Sequence, residues 1–229
     1  METFNIEKEI RDLESFPDEK YLKIIREVGF VCDRCGKCCT SEFNDHIFLL
    51  DDDAQRIIDN QGREYLRPAP HFDLCDNLGR FYVMGYALKT KPNGDCIFYT
   101  GSSCEHYENR PRICKIYPYM LHREPDEDGN IDFRQIGGLD EHGLYHNEIG
   151  EEACKEILKT VKEYESGFLR QQLGFIEEIE KYFKDNNLRI NKQMYDRMMR
   201  LYQKGKAIEV YVFYKGGFEK EVITPVQIS

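Results

Sequence analysis

The sequence predicts an α+β protein, with a loop-rich cysteine-cluster domain of short strands over residues 1–148 and a helical region over 149–229 that ends in a β-hairpin. Three observations predict this. Short apolar runs bounded by turn residues fill the first part, at HIFLL (46–50), RFYVMGYALKT (80–90) and DCIFY (95–99). From Ile149 the apolar residues recur at helical spacing: Cys154, Ile157, Leu158, Val161, Tyr164 and Phe168, then Leu173, Ile176, Ile179 and Phe183. The last segment places AIEVYVFY and FEKEVIT on either side of Lys215-Gly216-Gly217, a strand–turn–strand pattern.

Taken in chain order, residues 18–28 fit an amphipathic helix, with Tyr21, Ile24, Ile25 and Val28 on one face. Pro17 suits its first position and Gly29 its left-handed stop, so the helix leads straight into Cys32. After the strand at 46–50, Asp51 is expected to cap a helix to about Asn60, with Asp52 and Asp53 near its positive end and Gly62 as the stop. Residues 63–79 read as loop. Lys-Pro-Asn-Gly joins the strands 80–90 and 95–99, and 100–118 reads as irregular. Residues 119–136 fit another hairpin with Asp126–Asn130 at its tip. Gly167 and Gly174 are expected to kink or divide the long helix, which ends at Asp185-Asn186-Asn187. Asn191 caps a helix over 192–204, with Met194, Met198 and Leu201 on one face and Gly205 as its stop. Pro225 closes the final hairpin.

Composition narrows the function classes. A net charge of −10 argues against a nucleic-acid partner, which needs a basic face to displace counterions. No run approaches the roughly 20 apolar residues that cross a bilayer, so no membrane partner is expected. The start, METFNIEKEIRDLESF, lacks the basic and then apolar pattern of a secretory signal. A cytoplasmic protein is the expectation. Neither a Gly-x-Gly-x-x-Gly nor a Gly-x4-Gly-Lys-Ser/Thr loop occurs. The acidic run Glu124–Asp128 lacks the ligand order of a calcium loop and reads as a solvated turn.

Nine cysteines are many for a chain in a reducing compartment, where clustered thiols point to metal or redox chemistry rather than disulfides. The run Cys32-Asp-Arg-Cys35-Gly-Lys-Cys38-Cys39 is followed by Cys96, Cys104 and Cys114. A Cys-x2-Cys turn converges two thiolates on one ion, and Gly36 permits the tight backbone. The Cys-x2-Cys-x2-Cys spacing is that of the first ligands of a bacterial ferredoxin cluster, while zinc sites use paired Cys-x2-Cys turns. Cys38 and Cys39 are adjacent and point in different directions, so they serve two metals or one stands behind the other. Seven sulfurs suit four ligands to one cluster and three to another, or two zinc ions sharing a bridging sulfur, and spacing does not choose. Arg34, Lys37, Arg110, Arg112 and Lys115 lie near these cysteines, where cations stabilise thiolates. Cys75 and Cys154 stand alone and read as core or surface thiols. Cys75 and His106 are secondary ligand candidates; His122, His142 and His146 read as polar surface residues.

CDRCGKCCT, followed by NGDCIFYTGSSCEHYENRPRICKIYPY, resembles the YkgJ-like cysteine-cluster family of zinc- or iron-chelating domains. Cys104, Tyr107, Arg110, Pro111, Cys114, Tyr117 and Pro118 fit its second motif, and IFLLDDDAQRII resembles the strand and acidic helix start between the motifs. The resemblance covers about residues 30–160. Some members carry a further cysteine in a glycine-rich stretch, where this chain has RQIGGLDEHG, so the resemblance makes His142 or Asp140 the candidate substitute ligand. The family is similar to the N-terminal part of flagellin lysine N-methylases, for which the resemblance implies an iron–sulfur cluster.

The expectation is a metal-cluster protein with Cys32, Cys35, Cys38, Cys39, Cys96, Cys104 and Cys114 as ligands. A 4Fe–4S cluster is favoured and zinc is the alternative cofactor, with electron transfer or protein modification as the role. The other readings are a structural zinc module for a protein partner, and a SAM-dependent protein lysine N-methyltransferase acting on a protein substrate. Arg110 or Arg112 is expected to clamp a carboxylate, and Tyr107 and Tyr117 to pack over the site.

Overall fold

The structure is a computed structural model that describes residues 2–72, 74–122, 132–133 and 142–225. Along the chain lie α1 (Glu2–Ser15), α2 (Asp18–Val28), α3 (Ser41–Asn44), β1 (Phe48–Leu49), α4 (Asp51–Asn60), β2 (Leu66–Pro68), β3 (Leu74–Cys75), β4 (Phe81–Val83), β5 (Tyr86–Leu88), α5 (Arg112–Ile116), β6 (Leu121–His122), β7 (Asp132–Phe133), α6 (Glu151–Asp185), α7 (Lys192–Gln203), β8 (Ile208–Tyr214) and β9 (Gly217–Ile223). Single 3-10 turns occupy Lys37–Cys39 and Arg63–Tyr65. The protein is α+β, with short strands early, one long helix and a C-terminal hairpin. Its chain forms two compact units, one from residues 1–43 and 98–170, the other from 44–97 and 171–229. The change in sequence character near residue 149 marks the start of α6, which belongs to the first unit through Arg170 and to the second from Gln171.

In the first unit, α2 has the boundaries expected from its apolar face. Pro17 stands just outside as the capping residue, and Gly29 is left-handed (φ 52°), its N–H donating to Ile25 O at 2.9 Å. A Cβ at Gly29 would fall 2.3 Å from Asn147 O, so both the backbone angle and the close approach require glycine. Tyr21, Leu22 and Ile25 are buried, as are Cys154, Leu158, Val161, Tyr164 and Leu169 of α6. Helix α1, not anticipated from the sequence, buries Ile6 and Leu13. The expected hairpin at 119–136 is present as β6 paired with β7, Leu121 opposite Phe133; its tip at Asp126–Asn130 and the acidic run Glu124–Asp128 lie outside the described residues.

The second unit is built on the sheet β3-β4-β8-β9, in which β4 pairs in parallel with β8, Phe81 opposite Val210. The β8–β9 turn is the two residues Lys215 and Gly216, both at positive φ (49° and 78°), the geometry that suits a tight hairpin. Tyr82, Phe213, Phe175, Ile179 and Phe183 form an apolar core between this sheet and α6. Helix α6 runs unbroken through Gly167 and Gly174, contrary to the expected division. At Gly174 a Cβ would meet the Phe213 ring at 3.3 Å, so close packing calls for a small residue there, and burial offsets glycine's helix penalty of about 1 kcal/mol.

Other expectations are corrected in this unit. Residues 63–79 contain β2 and β3 rather than loop, because β2 pairs with β5 and β3 with β4. The run 80–90 is two strands, interrupted at Met84-Gly85, where Gln171 Nε2 donates to Met84 O at 3.1 Å. Residues 95–99 form no extended strand; the turn closes with Lys91 N–H on Asp95 O (2.7 Å), and a single bridge pairs Thr90 with Cys96. Asp51 lies inside α4, behind Leu50 as the capping residue, and its carboxylate accepts from Lys215 N–H at 2.8 Å. Asn191 caps α7 as expected, its Oδ1 accepting from Met194 N–H at 2.9 Å. Buried Asp76 accepts from Arg80 Nε (2.6 Å), Tyr82 OH (2.9 Å) and the N–H groups of Leu78 and Arg80 (2.8 and 3.0 Å).

Candidate metal centre

Six of the seven predicted ligands, Cys32, Cys35, Cys38, Cys39, Cys104 and Cys114, lie in the first unit, and Cys96 lies in the second. None of the seven is in a disulfide; Cys35 is exposed and the others are partly exposed. The chain enters Cys32 along a fixed path. Val31 and Leu144 exchange backbone hydrogen bonds of 2.8 and 2.9 Å, and Phe30 N–H donates to Tyr119 OH at 3.0 Å. Tyr119 is itself held by Tyr21, whose hydroxyl donates to Tyr119 O at 2.8 Å.

The Cys32–Cys39 loop turns at two positive-φ residues, Arg34 (64°) and Gly36 (80°). Gly36 O then accepts from Cys39 N–H (2.9 Å), which winds Lys37–Cys39 into a single turn. Asp33 braces the first half, accepting from Cys35 N–H at 3.0 Å. That bond, followed by one from the Cys35 thiol, holds the Asp33 carboxyl below its ordinary range.

Tyr99 ties this loop to the second motif. Its ring packs on Gly36, where a Cβ would sit 2.1 Å from Cζ, and its hydroxyl lies 3.1 Å from Cys35 O and 2.9 Å from Gly101 O. Tyr99 also pairs with Cys104 as a β-bridge, and Glu105 N–H donates to Phe98 O at 3.0 Å. Burial pushes the Cys104 thiol up; the His106 N–H opposes that, the neighbouring Cys39 adds to it, and Arg110 opposes it. A cation bound at these sulfurs reverses such a rise by stabilising the thiolate.

Cys114 sits on the short helix α5 behind Pro111, with its N–H on Pro111 O at 3.0 Å. Arg110 spans the motif, with Nη1 on Tyr107 O (2.6 Å) and Nε on Cys114 O (3.4 Å). The Arg110 guanidinium thus ties two backbone carbonyls, fixing Cys114 relative to Tyr107. The Arg110 and Arg34 guanidinium carbons also lie 4.0 and 4.4 Å from the Tyr107 ring centroid. Burial is the main cause that pushes the Tyr107 hydroxyl up; Arg110 opposes it, and the Cys32 sulfur, to which the hydroxyl hydrogen-bonds, adds to it. Tyr117 is buried against Phe30 and His142, at ring distances of 5.4 and 5.3 Å.

The secondary candidates separate. Cys75 is buried in the second unit, and burial pushes its thiol up to about 12. Cys154 is buried in α6 with its sulfur 3.6 Å from Ile149 O. His106 packs edge-on against Phe98 at 4.5 Å, and His142 is buried against Phe43 at 4.6 Å. His146 Nδ1 lies 3.2 Å from Glu27 O. The side chains of His122 and Asp140 lie outside the described residues. Among the described residues, Asp45, His46 and His71 form a triad whose ligand atoms lie within 4.8 Å of one another. No sequence argument singled out these three, because 25 residues separate the histidines and no local spacing joins them.

The thiols lie on backbone turns, with glycine at the tightest point and tyrosine and arginine packed beside them, but among the described residues the cysteine sulfurs do not converge as a preformed group of three ligand atoms. Together the fold and these residues define a cysteine-cluster domain. Residues 31–137 match the model of the CxxCxxCC family, described as a putative zinc- or iron-chelating domain. That match supports a metal-binding role for the segment, with zinc or iron as the ion. No curated protein and no solved structure matches the chain. No helix among the described residues is long and apolar enough to cross a membrane.

Proposed function

We propose that the chain is an iron–sulfur protein in which Cys32, Cys35, Cys38, Cys39, Cys96, Cys104 and Cys114 supply the ligands, and that it serves electron transfer or the modification of a protein substrate. The observation that carries this reading is that six of the seven cysteines belong to one unit, with Tyr99 joining the Cys35-Gly36 turn to the segment that bears Cys104. Cys96 belongs to the set on the sequence pattern alone. Seven thiolates exceed the four that one 4Fe–4S cluster takes, and the ferredoxin-like Cys-x2-Cys-x2-Cys spacing favours a cluster over a single ion. A cluster supplies one-electron chemistry, or an iron with an open position. The chain's own residues would tune it: Tyr107 places a hydroxyl at the Cys32 sulfur, and Arg34 and Arg110 add positive charge beside the site.

Anaerobic purification with visible absorbance and with iron, sulfide and zinc analysis tests the proposal. A brown protein containing iron and acid-labile sulfide supports it. A colourless, iron-free and zinc-replete protein overturns it in favour of a structural zinc module that presents a surface to a protein partner. The family description favours that second reading equally, since it allows either metal.

A further inference from the structure

We propose that Asp45, His46 and His71, in the second unit, form a second metal site that takes a divalent transition cation such as zinc through two imidazoles and one carboxylate. His46 Nδ1 lies 2.7 Å from Asp45 Oδ2, and His71 Nε2 lies 2.5 Å from the same oxygen. The two rings are 5.4 Å apart and inclined at 62°. Two imidazoles from separate segments thus aim ring nitrogens at one carboxylate oxygen. Without a metal, ring protons hold the three groups together. A cation would replace those protons and bind Nδ1 of His46, Nε2 of His71 and the carboxylate. Around a tetrahedral zinc, ligand atoms lie about 3.4 Å apart, so each nitrogen would move away from the carboxylate oxygen by less than about 1 Å.

The backbone holds these residues in place. Asp45 is left-handed (φ 55°), a conformation that aspartate tolerates better than most residues. Ile47 O accepts from Leu88 N–H at 3.0 Å, which anchors the chain one residue after His46. Ala69 N–H donates to Gly85 O at 3.0 Å, which anchors the chain two residues before His71. The side chains of His71 and Asp45 are 74% and 61% exposed and that of His46 is 21% exposed, so water can complete the coordination. Two nitrogens and one oxygen suit zinc, nickel or ferrous iron better than calcium, which takes oxygen, or cuprous copper, which takes sulfur. Arg67 lies within electrostatic reach of Asp45. Its charge opposes a cation there, which makes the site exchangeable rather than structural.

The site is separate from the cysteines in residues and in chemistry. The test uses the full chain with its cysteine complement filled and counted under anaerobic conditions, then desalted and titrated with zinc chloride. Metal analysis and the imidazole nitrogen resonances provide the readouts. One further equivalent of zinc is expected, with His46 and His71 resonances shifting together and the cysteine-site absorbance unchanged. His71→Ala and Asp45→Asn are expected to weaken that equivalent at least about tenfold while leaving the first complement and the melting temperature unaltered. Equal zinc uptake by the parent and both variants, or His46 and His71 resonances that do not move, overturns the site. If the cysteines prove to hold zinc rather than a cluster, only the baseline count changes, so the two readings fail separately.

Discussion

The Tyr99 ring lies directly on Gly36, leaving no room for a Cβ, while its hydroxyl reaches the Cys35 carbonyl at 3.1 Å. One side chain therefore joins the first cysteine loop to the strand segment that bears Cys104. Gly36→Ala would meet that ring and also place alanine at φ 80°. Backbone strain of this kind costs about 1–3 kcal/mol. The expected outcome is a lower melting temperature and loss of bound metal after desalting. Tyr99→Phe keeps the ring and is expected to cost about 1 kcal/mol with most of the metal retained. Metal analysis and thermal melts of both variants check this.

Thiol accessibility divides the cysteines. In metal-free protein, Cys35 is exposed, while Cys75 and Cys154 are buried, with the Cys75 thiol pushed up to about 12. Timed alkylation at neutral pH, read by peptide mass spectrometry, is expected to label Cys35 early and Cys75 and Cys154 only after unfolding. Bound metal is expected to protect Cys35 and to leave the two buried thiols as they were.

Asp76 is buried and accepts four hydrogen bonds, including those from Arg80 and Tyr82. Asp76→Ala leaves the Tyr82 hydroxyl and two backbone N–H groups of the β3–β4 turn without their acceptor. The expected loss of stability is about 3 kcal/mol, with Asp76→Asn losing less. Denaturant melts measure both.

Alkaline pH should destabilise the fold through its tyrosines. Burial raises Tyr21, Tyr82 and Tyr86 above the ordinary value of 10.0. Below pH 10 these groups are protonated in both states and their contribution is intact. As pH rises past 10 the unfolded chain releases protons first, and stability falls by up to about 1.4 kcal/mol per pH unit for each such tyrosine. Tyrosinate absorbance should then rise together with unfolding and not before it.

Metal removal should loosen the first unit locally. The Cys32–Cys39 loop and the segment 99–114 are tied by turns and few buried apolar side chains, whereas β8 and β9 pair along seven residues each. Hydrogen exchange on chelated protein is expected to speed up in 31–43 and 99–114 and to stay slow in the terminal hairpin.

Local rules made much of this protein legible. The α2 limits follow from an apolar stripe and Gly29, the α7 start from Asn191, and the β8–β9 turn from Lys215-Gly216, because each depends on neighbours within a few residues. The Cys-x2-Cys-x2-Cys-Cys run announces metal chemistry for the same reason. Pairing across long separations was not legible: β2 and β3 are too short to stand out until β5 and β4 pair with them, and Gly174 sits within an unbroken α6 because Phe213 packs there.

The sequence by itself determined which thiols are available and that their spacing matches a zinc- or iron-chelating family model, since spacing and residue type set ligand chemistry. Only the tertiary structure decided that Tyr99 holds Gly36, that Arg110 ties backbone carbonyls, and that His46 and His71 meet at Asp45. Those contacts join residues 25 to 64 positions apart or depend on how a side chain is turned, and chain folding rather than local preference sets both.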